Sequence, residues 1–182
     1  MRILLLDIDY TLNTHDPRPL IEFATSKGMA KYGKRAWELF KEPAHDMNLP
    51  PHAIPYKHYD EITQSYDRVI IITSRFEEWK APTKKWLRKW DFTWDILYMR
   101  PNGTHRIESY EIKKEFIEKI KAKWPHAQLT AIDDDKGVVE YYREEGIKVF
   151  VAPQDWEKAL AYHRRLNNRL AKKPSLSLAE AR

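Results

Sequence analysis

Five short runs of mostly aliphatic residues constrain this chain more than any other feature: ILLL at 3 to 6, VIII at 69 to 72, WDILYM at 94 to 99, LTAI at 129 to 132 and IKVFVA at 147 to 152. Segments with helical spacing lie between the later runs. The clearest, residues 109 to 124, puts Ile112, Phe116, Ile117, Ile120 and Trp124 on one face, begins at Ser109 and closes before Pro125. A second spans roughly 135 to 145 and ends at Gly146, a residue suited to a helix carboxy-terminal cap. Nearly all-apolar strands alternating with helices predict an α/β fold, a parallel sheet covered on both faces.

Such sheets carry their sites at the carboxy ends of the strands. Asp7, Thr73 and Asp133 each immediately follow an apolar run, so three distant segments deliver polar side chains to one sheet edge. Residues 13 to 67 fit the alternation less well. They predict two short helices, about 19 to 27 and 33 to 41, and a loop with Pro43, Pro50, Pro51 and Pro55, together a small helical cap or insert above the strand ends.

A length of 182 residues suits one domain with small additions. We place the body at residues 1 to 154 and a basic helix and tail at 155 to 182. The formal net charge of +5 divides unevenly: residues 1 to 154 hold 25 Lys and Arg against 24 Asp and Glu, the remainder 7 against 3. The basic character therefore belongs mostly to the tail, where a solvated helix face explains it as well as an anionic partner does. The final residues, KKPSLSLAEAR, are the candidate for disorder. With no cysteine, disulfides and thiolate metal sites are excluded. The ILLL run is too short for a signal-peptide core, and the expectation is a cytoplasmic protein without a membrane span.

The stretch LLLDIDYTL sets Asp7 and Asp9 on either side of Ile8, with Thr11 beyond; alone, the pair could equally be a solvated strand end. LTAIDDDK is harder to dismiss, because three adjacent carboxylates, Asp133, Asp134 and Asp135, resist burial at a strand end. Asp135 reads as the amino-terminal cap of the next helix.

Taken together, DxDxT after a hydrophobic strand (LLLDIDYTL), a later strand ending in a hydroxyl residue (VIIITSR), a lysine opening a helix (EIKKEF) and a strand ending in DD (AIDDD) resemble the four motifs of the haloacid dehalogenase (HAD) superfamily, spread over about residues 3 to 151. That resemblance implies a HAD-like, Rossmann-like fold and a phosphatase. Asp7 would be the nucleophile and Asp9 the acid and base. Thr73 and Lys113 would stabilise the phosphoryl group. Asp7, the Asp9 backbone carbonyl and Asp134 would hold Mg2+, with Asp133 orienting a ligand. Lys114 competes with Lys113 for the lysine role, and the helix phase alone does not separate them.

Within the superfamily the resemblance is to the 3'-phosphatase domain of phage polynucleotide kinase, carried by VIIITSRFEEWKAPTKKWLRKW, RPNGTHRIESYEIKKEFI and LTAIDDDKGVVEYYREEGIKVFVAP. It implies a DNA or RNA 3' end as substrate. It also makes Arg75 a candidate phosphate contact, with Thr11, Ser74, Arg100 and Arg106 as further substrate-binding candidates. Tyr10 departs from the pattern, standing where many relatives have glycine. GMAKYGKR, residues 28 to 35, mimics a nucleotide-binding loop but lacks its final hydroxyl and follows no buried strand, so we assign it no role. Trp79, Trp86, Trp90 and Trp94 fit a core better than base stacking, and His45, His52 and His58 lack metal-site spacing. Two other readings stand beside the polynucleotide phosphatase: a nucleotidase or other small-molecule phosphatase of the superfamily, and a non-catalytic phosphate- or nucleic-acid-binding module.

Overall fold

The computed structural model describes residues 1–30 and 33–172. Five strands, β1 (Arg2–Leu6), β2 (Arg68–Phe76), β3 (Ile96–Arg100), β4 (Gln128–Asp133) and β5 (Lys148–Val151), form one sheet in the order β3-β2-β1-β4-β5, every neighbouring pair parallel. These are the apolar runs of the sequence, except that β2 continues past Ile72 as far as Phe76. Helices α1 (Arg18–Ser26), α2 (Lys34–His45) and α3 (Ala53–Thr63) separate β1 from β2, and α4 (Lys80–Lys89), α5 (Ser109–Lys123) and α6 (Lys136–Glu144) make the remaining crossovers. The last helix is α7 (Trp156–Ala171). No helix among the described residues is long and apolar enough to cross a membrane.

Alternation along the strands builds two cores. Leu4, Leu6, Val69, Ile71 and Ile132 pack on one face with residues of α3, α4 and α7, whereas Ile3, Leu5, Ile70, Ile72 and Ala131 pack on the other with α5 and α6. Leu87 and Ile117, one on each side, are fully buried; truncating either to alanine costs about 2–5 kcal/mol. Helix α5 has its predicted apolar face. Its cap, however, is Glu108 in a reciprocal capping box with Glu111, and Ser109 is the first helical residue. Asp135 caps α6 as expected, its side chain accepting the Val138 N–H at 3.1 Å, and Gly146 follows with φ of +69°.

The insert and the tail differ from expectation. Pro55, read as part of a loop, lies instead in α3, in its first turn where no N–H is needed. Tyr59 and Ile62 of α3 then enter the core beside α7, so only the earlier part of the insert lies over the strand ends. Pro43 likewise sits inside α2. Helix α7 buries Trp156, Ala159, Leu160 and His163 and keeps Lys158, Arg164, Arg165 and Arg169 outside, which makes it a layer of the domain with a basic outer face and not an addition to it. Apart from Lys172, the candidate disordered segment lies outside the described residues, as do residues 31 and 32 of the nucleotide-loop mimic, whose last two residues, Lys34 and Arg35, open α2.

The strand order matters for function. The chain runs outward from β1 through β2 to β3, then crosses back to β4 on the other side of β1. A parallel sheet opens a crevice where the order reverses in this way. Asp7, just beyond β1, donates its backbone N–H to Ile132 of β4 at 3.1 Å, and so sits at that reversal beside Asp133 and Asp134.

Candidate active site

Four elements converge at the reversal. Asp7 follows β1, Thr73 lies in β2, Lys113 is in the second turn of α5, and Asp133 ends β4 with Asp134 next to it. The Lys113 ammonium, 2% exposed, donates to Asp7 Oδ1 at 2.8 Å and to Asp133 Oδ2 at 2.6 Å. Lys114 faces outward. Helix packing thus selects Lys113, because the buried stripe of α5 includes it along with Ile112, Phe116 and Ile117. The second oxygen of Asp133 accepts the Asp135 N–H at 3.2 Å. Asp134 makes no ion pair among the described residues, and its Oδ1 accepts only the Thr11 hydroxyl, at 3.4 Å.

Carboxylate oxygens of Asp7, Asp133 and Asp134 lie within 4.8 Å of one another. Three carboxylates against one ammonium leave two unbalanced negative charges. Burial and mutual repulsion then push protons on: burial first, with Asp133 and Asp9 adding, raises Asp7 to about 8 despite Lys113, and burial with Asp7 and Asp133 raises Asp134 to about 9. Burial also raises Asp133 against the pull of Lys113. Lys113 goes the other way: burial would lower it, but its two carboxylates hold it well above the ordinary lysine value. Two missing positive charges beside hard oxygen donors are what a divalent cation such as Mg2+ would supply, so these residues fit the expected metal.

Asp9 belongs to a separate unit. A shift in the β2–β3 register between Thr73 and Phe76 frees Ser74 and Arg75 from regular pairing, the kind of irregularity that re-aims a side chain near a site. Arg75 grips Asp9 with two parallel bonds, Nε to Oδ2 at 2.8 Å and Nη2 to Oδ1 at 2.7 Å, and its Nη1 donates to the Ala44 carbonyl at 2.9 Å. Asn13 adds a bond to Asp9 Oδ1 at 3.0 Å. Burial would raise Asp9, but the Arg75 charge, its hydrogen bonds and Asn13 together outweigh it and hold the carboxyl below its ordinary value. The two carboxylates of the DxD pair are thereby separated electrostatically, with the proton favoured on Asp7 in the metal-free protein.

The profile of the family described as the polynucleotide kinase PNKP phosphatase domain matches residues 1–156. The chain belongs to this family. Among solved structures, a chain of a Pnkp1/Rnl/Hen1 complex is similar over 83% of this protein with a TM-score of 0.61 and 21% identity, although the match spans only 45% of that longer chain. The phospho-aspartyl intermediate analogue of phosphoserine phosphatase matches over 88% of this chain and 98% of its own (TM-score 0.55, 13% identity), and the HAD domain of the Legionella pneumophila effector Lem4 over 94% and 96% (TM-score 0.53, 13% identity). These likenesses establish a HAD-like fold. No curated protein matches the chain.

In this PNKP-type phosphatase domain the floor residues border a cavity of about 120 Å³, lined by Asp7, Asp9, Thr73, Ser74, Arg75, Lys113 and Asp134. The Thr73 hydroxyl accepts the Arg75 N–H at 3.2 Å, which keeps it at the floor. Three of the residues expected to touch substrate are placed otherwise. Thr11 is fully buried and serves Asp134 through its hydroxyl. Arg100 is fully buried too: Nε donates to the Ser74 carbonyl at 3.1 Å and Nη1 to the carbonyls of Thr104 and Ile107 at 3.0 and 2.8 Å. It holds the β3–α5 loop against β2 and is not presented to a phosphate. Arg106 is exposed on that loop and does not line the cavity.

The roof comes from the insert and the turn after β2: His15, Pro17, Ile21 of α1, Trp37, Phe40 and Ala44 of α2, and Trp79. Of the four tryptophans weighed in the sequence, Trp79 reaches the cavity, Trp86 is core with its Nε1 on the Leu49 carbonyl, and Trp90 and Trp94 pack half-buried on that core. Sequence reading missed Asn13, His15, Trp37 and Phe40 as site residues. Asn13, two positions after the motif threonine, carried a local signal; the others carried none, since their place depends on how α2 folds back. Tyr10 takes φ of +57°, the left-handed conformation that glycine adopts freely. Its ring lies outside the cavity lining, 4.6 Å from the Arg18 guanidinium and edge-on to His52.

Proposed function

We propose that this protein is a phosphomonoesterase that removes 3'-phosphate from nucleic-acid ends through an aspartyl-phosphate on Asp7, with Mg2+ as cofactor. The observation that supports the chemistry best is the buried Lys113 ammonium joining Asp7 to Asp133 at the sheet reversal: a carboxylate on a cavity floor, beside fixed positive charge that an arriving phosphoryl group would share. The family match supports the substrate class.

In the first step Asp7, in its ionised form, attacks phosphorus, the bond to the leaving oxygen breaks, and that oxygen takes the proton of Asp9 in its protonated form. In the second, Asp9 removes a proton from water, whose oxygen attacks phosphorus and frees Asp7. Asp9 is held in the ionised form the second step needs. A phosphate entering the cavity competes for the Arg75 guanidinium, whose paired donors suit phosphate as well as carboxylate, and each bond so transferred raises Asp9 toward the protonated form the first step needs. Lys113 and the Thr73 hydroxyl face the phosphoryl oxygens. Held by Asp7 and Asp134, with Asp133 steadying Lys113 beside them, Mg2+ would add positive charge to those oxygens.

The test is inorganic phosphate release from a 3'-phosphorylated oligonucleotide and from mononucleotides, with Mg2+ or EDTA, at several salt concentrations. The expected result is Mg2+-dependent release favouring the oligonucleotide and weakening with salt. The small cavity supports a second reading, a phosphatase of mononucleotides or other small esters. Preference for those substrates with a flat salt response would select it.

A further inference from the structure

The cavity has two chemically different sides. Its floor is carboxylate, hydroxyl, ammonium and guanidinium, and its roof is aromatic and aliphatic. Phosphate has no use for the roof. We infer that His15, Trp37 and Phe40 form a subsite for the terminal nucleoside that carries the phosphate, and that this subsite decides which esters are accepted; the inference rests on the phosphomonoesterase reading above.

Three observations carry it. First, the rings form a braced wall. Phe40 packs 5.3 Å from Trp37 and 6.2 Å from His15, edge-on to the latter, and Trp37 is fixed by its Nε1 on the His105 carbonyl at 3.0 Å and by its contacts with Phe76 and Trp79. A rigid aromatic face is the surface that nucleobases and sugars use, through stacking and edge contacts that tolerate any base. Second, the wall is tied to the side of the floor that would handle the leaving group. Asn13 Oδ1 accepts the His15 backbone N–H at 3.0 Å while its Nδ2 holds Asp9 at 3.0 Å, so one side chain fixes both the proton-handling carboxylate and the wall. Third, His15 Nε2 is buried without a hydrogen-bond partner among the described residues. Such an atom on a cavity-lining residue calls for an explanation, and a turn of the imidazole toward the cavity would offer that nitrogen to a sugar oxygen of the nucleoside.

The test is the kinetics of wild type, Phe40→Ala, Phe40→Leu and His15→Ala on a 3'-phosphorylated dinucleotide and on glycerol 2-phosphate, which has no base or sugar ring. Phe40→Ala should raise KM for the dinucleotide about tenfold, the size of one lost aromatic contact, while kcat and both constants for glycerol 2-phosphate stay within about twofold. Phe40→Leu, which keeps most of the volume, should show the same split, so a misfolded alanine variant does not decide the matter. His15→Ala should raise the dinucleotide KM less, with His15→Gln recovering part of it. Equal losses on both substrates, or an unchanged dinucleotide KM in both Phe40 variants, would overturn the subsite and leave the catalytic reading intact. A wild-type enzyme that turns over glycerol 2-phosphate and no nucleotide ester would overturn the nucleic-acid reading and the subsite with it.

Discussion

The floor and the roof of the cavity are built on opposite principles. The floor comes from strand ends and one helix of the sheet core, and its charged groups are buried and locked: Lys113 on Asp7 and Asp133, Arg75 on Asp9. The roof comes from the insert after β1, where half-buried rings pack on one another and the ion pair at its edge, Arg18 with Asp16, is exposed. Ions buried in a low-dielectric crevice interact strongly and tolerate no missing partner; apolar contacts at a surface are individually weak and replaceable. On the proposed function, reaction chemistry is concentrated where substitution is costly, and substrate selection falls where it is cheap.

If that contrast is right, floor substitutions should abolish turnover or unfold the protein, and roof substitutions should do neither. Asp7→Asn should lower phosphate release by roughly 10⁴-fold or more, as loss of a nucleophile does, while circular dichroism stays native, because one of three crowded carboxylates is relieved. Appreciable turnover by this variant would end the covalent mechanism. Lys113→Met strands two buried carboxylates and should cost about 3–5 kcal/mol in urea unfolding; a near-neutral result would mean the floor is not held by that ion.

Metal linkage gives the next effect. Mg2+ at a hundred times its Kd should stabilise wild type by about 2.7 kcal/mol, and Asp134→Asn should lose most of that gain in thermal melts. The pH dependence of the metal-free protein follows from the raised carboxyls of Asp7 and Asp134. The folded chain keeps protons that the unfolded chain releases near pH 4, so this contribution is present in acid and is lost as pH rises through about 8 to 9. Urea midpoints in EDTA should therefore fall between pH 6 and pH 9, and saturating Mg2+ should flatten the fall. A rising midpoint would contradict the crowding. The smallest effect belongs to the turn where floor meets roof: Tyr10→Gly relieves a left-handed backbone but gives up the Arg18 contact, and should change stability by less than about 1 kcal/mol.

Much of the floor could be read from the sequence because its signals are local. An apolar run followed by a carboxylate or hydroxyl declares a strand end, and five such runs in alternation with helices fix the sheet's character; Asp7, Thr73, Asp133 and Asp134 follow directly. The insert could not be read this way. Its prolines look like loop markers, yet Pro55 at the start of α3 is compatible with a helix whose burial of Tyr59 and Ile62 repays its formation. The arginines were equally opaque. Arg75 and Arg100 are both guanidiniums near strand ends, and nothing in their neighbours says that one grips Asp9 while the other braces a loop.

The sequence by itself determined the parallel sheet, the edge at which the acidic residues gather and the order in which they arrive, since alternation and strand-end chemistry act between near neighbours in the chain. Tertiary structure alone decided that Lys113 and not Lys114 turns inward, that Asp9 is paired with Arg75, that Thr11 and Arg100 are structural, and that α2 roofs the cavity with aromatic rings. Each of those outcomes depends on which distant side chains are brought together and which charges are cut off from water. Such contacts have energy only once the fold exists.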